Sequence, residues 1–297
     1  MIRRKLKIKM DHKSCEFHVT IKKQATHMKK LLIILFLGAA ANVWAQDFNE
    51  QIAVPLSSPD KKGKLEVGQV RGDIIIEAYN GKEVIIQATA GKSDCDDCDH
   101  DHREGRNAPA GMKRISSSPI ELEASENNNR VEIETNSWKK PINLNIKVPA
   151  NFDLEVSTVH GKVEVTGING SHEISSVNGP VTLKDMSGSV VTNTVNGAII
   201  VNLKSVKPNE PMSFVTLNGN VDVTLPASVK ARAKMRSDRG EIFTDFDMTM
   251  DRSKPQVKSD DGEYKVSINS WVYGDINGGG PEYTFKNMNG DIIIRKK

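Results

Sequence analysis

Aromatic residues are scarce, 5% of a 297-residue chain, so any core must be filled by aliphatic side chains. There are three cysteines in a chain of this length, which excludes a small disulfide-stapled scaffold. After residue 45 no apolar run approaches the ~18 residues that a membrane-spanning helix requires. No amphipathic helical period emerges there either. Nor does a glycine-rich phosphate loop follow a strand and open a helix, so nucleotide binding has no motif to rest on. The basic excess is only apparent. The formal charge of +3 comes from 41 Lys and Arg against 38 Asp and Glu. Residues 1–45 hold 10 of the former and 2 of the latter, so Gln46 onward carries 31 against 36, a net of −5. An acidic body argues against sequence-independent phosphate binding, and nucleic acid is not an expected partner.

The basic front has the grammar of an export signal. Met28, Lys29 and Lys30 form a short positive region, Leu31 to Ala41 is an eleven-residue apolar stretch, and Val43-Trp44-Ala45 places small residues where a signal peptidase reads. The expected organisation is a signal peptide over residues 28–45, cleaved after Ala45, and a mature body over 46–297. Residues 1–27 are polar and basic, an extension ahead of a start at Met28; the alternative is one long positive region. No Cys stands just after the cleavage position, so the usual lipid acylation is not expected. The expected location is outside the cytoplasm, in the periplasm or at the cell surface.

Beyond the signal runs a glycine ruler. Gly161, Gly170, Gly179, Gly188 and Gly197 stand nine residues apart, then Gly219, Gly240 and Gly262 follow at steps of 21 to 22. Asn precedes several of them, as in Asn178-Gly179, Asn196-Gly197, Asn218-Gly219 and Asn289-Gly290, a pair that marks tight turns. Apolar residues recur at the second and fourth places after the corner: Val163 and Val165, Val181 and Leu183, Ile199 and Val201, Val221 and Val223, Tyr264 and Val266, Ile292 and Ile294. That alternation is the period of a strand with one buried face. Val159, Val177, Val195, Leu217 and Met288, two places before the corner, are expected to turn inward as well.

The expected fold is all-β. Either 18–22-residue coils stack as a parallel β-solenoid, or the Asn-Gly pairs are hairpin turns of an antiparallel meander or sandwich. The changing step favours the solenoid, because residues added between Gly197 and Gly219, including Pro208 to Pro211, fall at one corner and leave strand phase intact. The same unit is expected at Gly72 with Ile74 and Ile76, and at Gly81 with Val84 and Ile86. Further strands are expected at Val131–Thr135 and Ile142–Val148, and Asp47–Leu65 is either a cap or a loose leader.

Segments such as Thr194-Val195-Asn196-Gly197, with Ser176-Val177-Asn178-Gly179 and Thr216-Leu217-Asn218-Gly219, resemble a bacterial family of exported β-strand-repeat proteins called putative adhesins, a domain of unknown function. The head domains of autotransporter adhesins are similar. The resemblance implies an envelope-associated β-solenoid and carries no catalytic residues. No evident anchoring or translocator segment precedes Ile294-Arg295-Lys296-Lys297, which leaves periplasm and surface both open.

Three local features invite chemistry. Cys95, Cys98, His100 and His102, set among aspartates, offer two thiolates and two imidazoles within eight residues, a donor set that suits zinc. The alternatives are a short-loop disulfide or a polar loop inserted over about 91–118. Arg71-Gly72-Asp73 matches an adhesion tripeptide, yet Gly72 to Ile76 is identical to Gly290 to Ile294, so the repeat alone explains it. A carbohydrate-active enzyme on the same scaffold needs aligned carboxylates. The outward third place after each corner (Glu164, Thr182, Ile200, Asp222, Phe243, Lys265, Ile293) offers no such ladder, and His160 and His172 look like isolated turn residues. The expected function is a non-enzymatic envelope module that presents a rigid surface to a glycan or protein. No cofactor is expected beyond zinc at the Cys95–His102 loop. The alternatives are metal binding or sensing through that loop, and carbohydrate chemistry.

Overall fold

The computed structural model describes residues 49–90, 122–135, 140–251, 256–260, 263–267 and 271–297. All regular structure among them is strand, as the period-2 patterning requires. The signal segment, Gly262 and the Cys95–His102 cluster lie outside these residues, as do the side chains of Tyr264 and Val266.

Eight two-strand coils follow in chain order, and all but the second carry a glycine at the corner between their strands. They are Gly63–Arg71 with Ile74–Tyr79, Arg130–Thr135 with Ile142–Pro149, Phe152–His160 with Val163–Thr166, Asn169–Asn178 with the start of Val181–Asn196, the end of that long strand with Ile199–Val206, Met212–Asn218 with Val221–Leu225, Ala231–Ser237 with Ile242–Thr244, and Glu282–Asn287 with Ile292–Lys296. Neighbouring coils pair in parallel through both strands. The expected 18-residue step appears directly in the pairs Val163↔Val181 and Val181↔Ile199, and the 22-residue step in Ile199↔Val221.

Chain order and spatial order part company at both ends. The second coil lies outside the first, which pairs with the third. Likewise the eighth is inserted between the sixth and the seventh. Outside the stack the strands turn antiparallel: Glu83–Ala90 on Ile142–Pro149, Asn49–Pro55 beyond it, and Leu122–Asn127 on Arg130–Thr135. Val272–Ile276 and Met248–Asp251 add to the other end in the same sense. The architecture is therefore solenoid-like with mixed strand orientation. The unit expected at Gly81 is one of these antiparallel strands and not a further coil, although its Val84 and Ile86 are buried as their alternation demands.

The ten aliphatics from Val163 to Ile294 named above as the second and fourth places after the corner, Tyr264 and Val266 aside, are all buried. Each removes roughly 1.5–3 kcal/mol worth of apolar surface from water. The corners themselves are not hairpin turns, because Asn178, Asn196 and Asn218 keep negative φ. The two-residue turn with positive φ is Asn128-Asn129, which joins antiparallel strands. Glycine is required at the corners by contact. At Gly161, with φ of +135°, a Cβ would stand 1.9 Å from the Gly72 carbonyl oxygen of the coil beneath. Gly219, at +143°, meets the Gly197 carbonyl at 2.3 Å in the same way.

The two inserted coils carry the identical Gly-Asp-Ile-Ile-Ile run, and both aspartates do the same work. Asp73 accepts the Lys162 amide at 3.0 Å while its own amide donates to Asn143 Oδ1 at 2.9 Å. Asp291 accepts the Glu241 amide at 3.0 Å and donates to Asn220 Oδ1 at 3.0 Å. Asp73 of the Arg-Gly-Asp triplet is thus a bracket between coils, which supports the repeat as its origin.

Candidate binding face

The repeated Thr/Ser-Val-Asn-Gly segment assigns a separate task to each position. The residue three before the corner points inward: Thr158, Ser176, Thr194, Thr216 and Asn287 are all buried. Four of them return to corner carbonyls, with Ser176 Oγ donating to Gly179 O at 3.4 Å, Thr194 Oγ1 to the same oxygen at 3.2 Å, Thr216 Oγ1 to Gly197 O at 2.9 Å and Asn287 Nδ2 to Gly219 O at 3.3 Å, whereas Thr158 Oγ1 finds no partner. Buried backbone acceptors next to a bend are thereby satisfied.

The next position points outward. Val159, Val177, Val195, Leu217 and Met288 are 37–43% exposed, which corrects the expectation that they face the core. The inversion is a matter of parity. Residues two before and two after the corner have the same parity in a continuous strand, and the bend at glycine reverses it. Because the strands pair in register, these side chains stand on adjacent coils as a continuous aliphatic ridge, with half-buried Val70 continuing it beyond Val159. At ~4.8 Å per strand, the ridge from Val70 to Met288 is about 24 Å long.

Beside the ridge, at the corner, runs an amide ladder. Asn196 Nδ2 donates to Asn178 Oδ1 at 2.8 Å and Asn218 Nδ2 to Asn196 Oδ1 at 2.7 Å, with Asn289 donating in turn to Asn218. The ladder ends at His160, whose Nδ1 lies 3.4 Å from Asn178 Nδ2. His160 is therefore a ladder terminus. His172 departs further from expectation: it is 2% exposed, its Nε2 donates to the Ser187 carbonyl at 3.2 Å, and no hydrogen bond reaches Nδ1. Burial holds its pKa at about 4, against an ordinary 6.5, so at neutral pH it is an uncharged core residue.

The strand after the corner presents Glu164, Thr182, Ile200, Asp222, Ile293 and Phe243 outward in register, with Ile200 and Phe243 about half exposed. No carboxylate ladder forms there, as expected. One does form on the strand before the corner, where Glu132, Glu66, Glu155 and Glu173 align on four neighbouring coils. Glu66 is held by Lys64 and Arg130, and Lys64 Nζ also lies 2.7 Å from Glu155. Burial alone would raise the Glu66 pKa, but the two cations outweigh it and hold the carboxyl below its usual range. Asp153, Glu164 and Glu210 are also lowered, each beside a lysine. A glycosidic general acid needs a carboxyl pushed the other way. Cys95, Cys98, His100 and His102 fall outside the described residues, so the expected metal set has no geometry here.

An all-β stack whose exposed chemistry is laid out in ladders along the coils defines a repeat-surface protein. The chain belongs to the Toastrack DUF4097 family, whose profile matches residues 4–294. Among solved structures it is similar to a putative cell adhesion protein from Clostridium sporogenes ATCC 15579, at 14% identity and a TM-score of 0.41, covering 84% of this chain and 99% of that one. It is also similar to a putative adhesin from Bacteroides fragilis NCTC 9343, at 12% identity and a TM-score of 0.36, covering 84% and 97%. No curated protein matches. Among the described residues no helix is long and apolar enough to cross a membrane.

Proposed function

We propose that the protein is a non-enzymatic binding module of the bacterial envelope, exported through the signal at residues 28–45 and working as the body 46–297. Its partner is an envelope glycan or protein that lies along the ridge. The aliphatic ridge of Val159, Val177, Val195, Leu217 and Met288 beside the amide ladder carries this reading. A row of exposed aliphatics held in register on rigid strands offers contact area at little cost in side-chain ordering, and the amides beside it supply direction. The downward carboxyl shifts support binding over acid catalysis. The test compares the secreted chain with a Val177→Ser, Val195→Ser, Leu217→Ser variant for retention on washed envelope fractions. All three side chains are exposed, so the variant is expected to unfold as the parent does and to lose retention. Equal retention of the two proteins sinks the reading.

A further inference from the structure

The coil exchange at the second end assembles a cavity that the sequence does not foreshadow. Because the eighth coil sits between the sixth and the seventh, the turn at 277–281 is brought against the turn at 226–230 and the enlarged corner at 206–211. Asn277 Nδ2 ties two of these together, donating to the Ala227 and Val229 carbonyls at 2.9 and 2.7 Å. The Lys207 amide anchors the third on the Gly188 carbonyl at 3.1 Å. The turns enclose about 440 Å³, within the range of small-molecule sites.

The lining has one sign of charge. Lys204, Lys207 and Lys230 border the cavity and no carboxylate lines it. Lys207 pairs with Glu210, and Lys204 reaches Asp185 at 3.8 Å. Lys230 has no ion-pair partner among the described residues. Prolines 226 and 281 give an apolar wall. Tyr283, also in the lining, is 1% exposed, and no described residue hydrogen-bonds its hydroxyl. A phenol hydroxyl at the cavity wall with no protein acceptor is free to donate to a ligand there.

We infer that this cavity binds a carboxylated sugar unit. Its carboxylate meets Lys230 and Lys207, its ring lies on the proline wall, and a ring hydroxyl accepts from Tyr283. The site is distinct from the ridge, so the Val177→Ser, Val195→Ser, Leu217→Ser variant keeps it and the two readings fail separately.

Titration of the purified chain with D-glucuronate at low salt, followed by calorimetry, tests the assignment, with D-glucose and inorganic phosphate as comparison probes. Saturable glucuronate binding is expected, at least tenfold tighter than either comparison probe. Lys230→Gln should weaken it about tenfold, the loss of one charge-assisted contact. Tyr283→Phe, which keeps the ring in the core, should weaken it several-fold with an unchanged melting temperature. Equal affinity for glucose, competition by phosphate as strong as by glucuronate, or absence of saturable binding each overturns the inference. So does a Lys230→Gln protein that binds as the parent does.

Discussion

The middle of the stack and its two ends obey different rules. From Phe152 to Leu225 each coil lies on the one before it, and the Asn ladder, the buried hydroxyls and the glycine column repeat without interruption. At the ends the order of coils is exchanged and the outermost strands run antiparallel. The repeat fixes how a coil presents its side chains but not which coil it lies against. Exchange and strand reversal give each end a covering that the repeat cannot supply, since a bare parallel edge would template further pairing.

The sharpest way to break this contrast is by deletion. Removing Glu282–Lys297 takes out a coil that is last in order but internal in space, and strips the partners of both Met212–Asn218 and Ala231–Ser237. Loss of cooperative unfolding by circular dichroism is expected. Removing the chain up to Pro55 takes only an outer strand and should lower the melting temperature while leaving one transition. Next in size is Gly161→Ala, which drives a methyl into the Gly72 carbonyl at a non-glycine φ and should cost about 4 kcal/mol in urea unfolding. Gly278→Ala at an end turn meets no atom within 4 Å. Backbone strain alone should make it cost about 1 kcal/mol.

Acid is the third probe. His172 has a folded-state pKa of about 4 against 6.5, so the unfolded chain binds the extra proton between those values. Stability should be complete above pH 6.5 and fall by about 3 kcal/mol as pH drops through 4. In His172→Leu the slope of stability between pH 6.5 and 4 should shrink; an unchanged slope would place the acid sensitivity elsewhere. Smaller still, Thr216→Val leaves the Gly197 carbonyl without its 2.9 Å donor and should cost about 1–2 kcal/mol. Asn196→Ala interrupts an exposed amide ladder and should cost about 0.5–1 kcal/mol in the same measurement.

Strand phase was legible because glycine spacing and alternating aliphatics are local signals: Val163, Val181, Ile199 and Val221 are buried as their spacing predicts. Parity counted straight through the bend turns the Val177 series inward, and the bend itself turns it outward. The recurring hydroxyl one place earlier, at Ser176, Thr194 and Thr216, was the cue that this position is the inward one. Gly170 beside His172 suggests a turn, yet the strand Asn169–Asn178 runs on through that glycine. The carboxylates Glu132, Glu66, Glu155 and Glu173 aligned only once coil order was known, since Glu132 and Glu66 are neighbours through the exchange. The lysine-bordered cavity was hidden for the same reason, being made of turns far apart in the chain.

The inserted eighth coil also sets a timetable. Asn218 finds its ladder partner in Asn289, 71 residues further along, whereas Asn196 finds Asn178 after 18. Contacts of short separation close early and those of long separation late. The central coils can therefore zip together as soon as they emerge, while the sixth and seventh coils must hold open a gap for a strand pair not yet made. Until Glu282–Lys296 arrives, both walls of that gap are unpaired parallel edges, the part of the molecule most exposed to mispairing. A chaperone that holds the unfinished chain would be needed there longest.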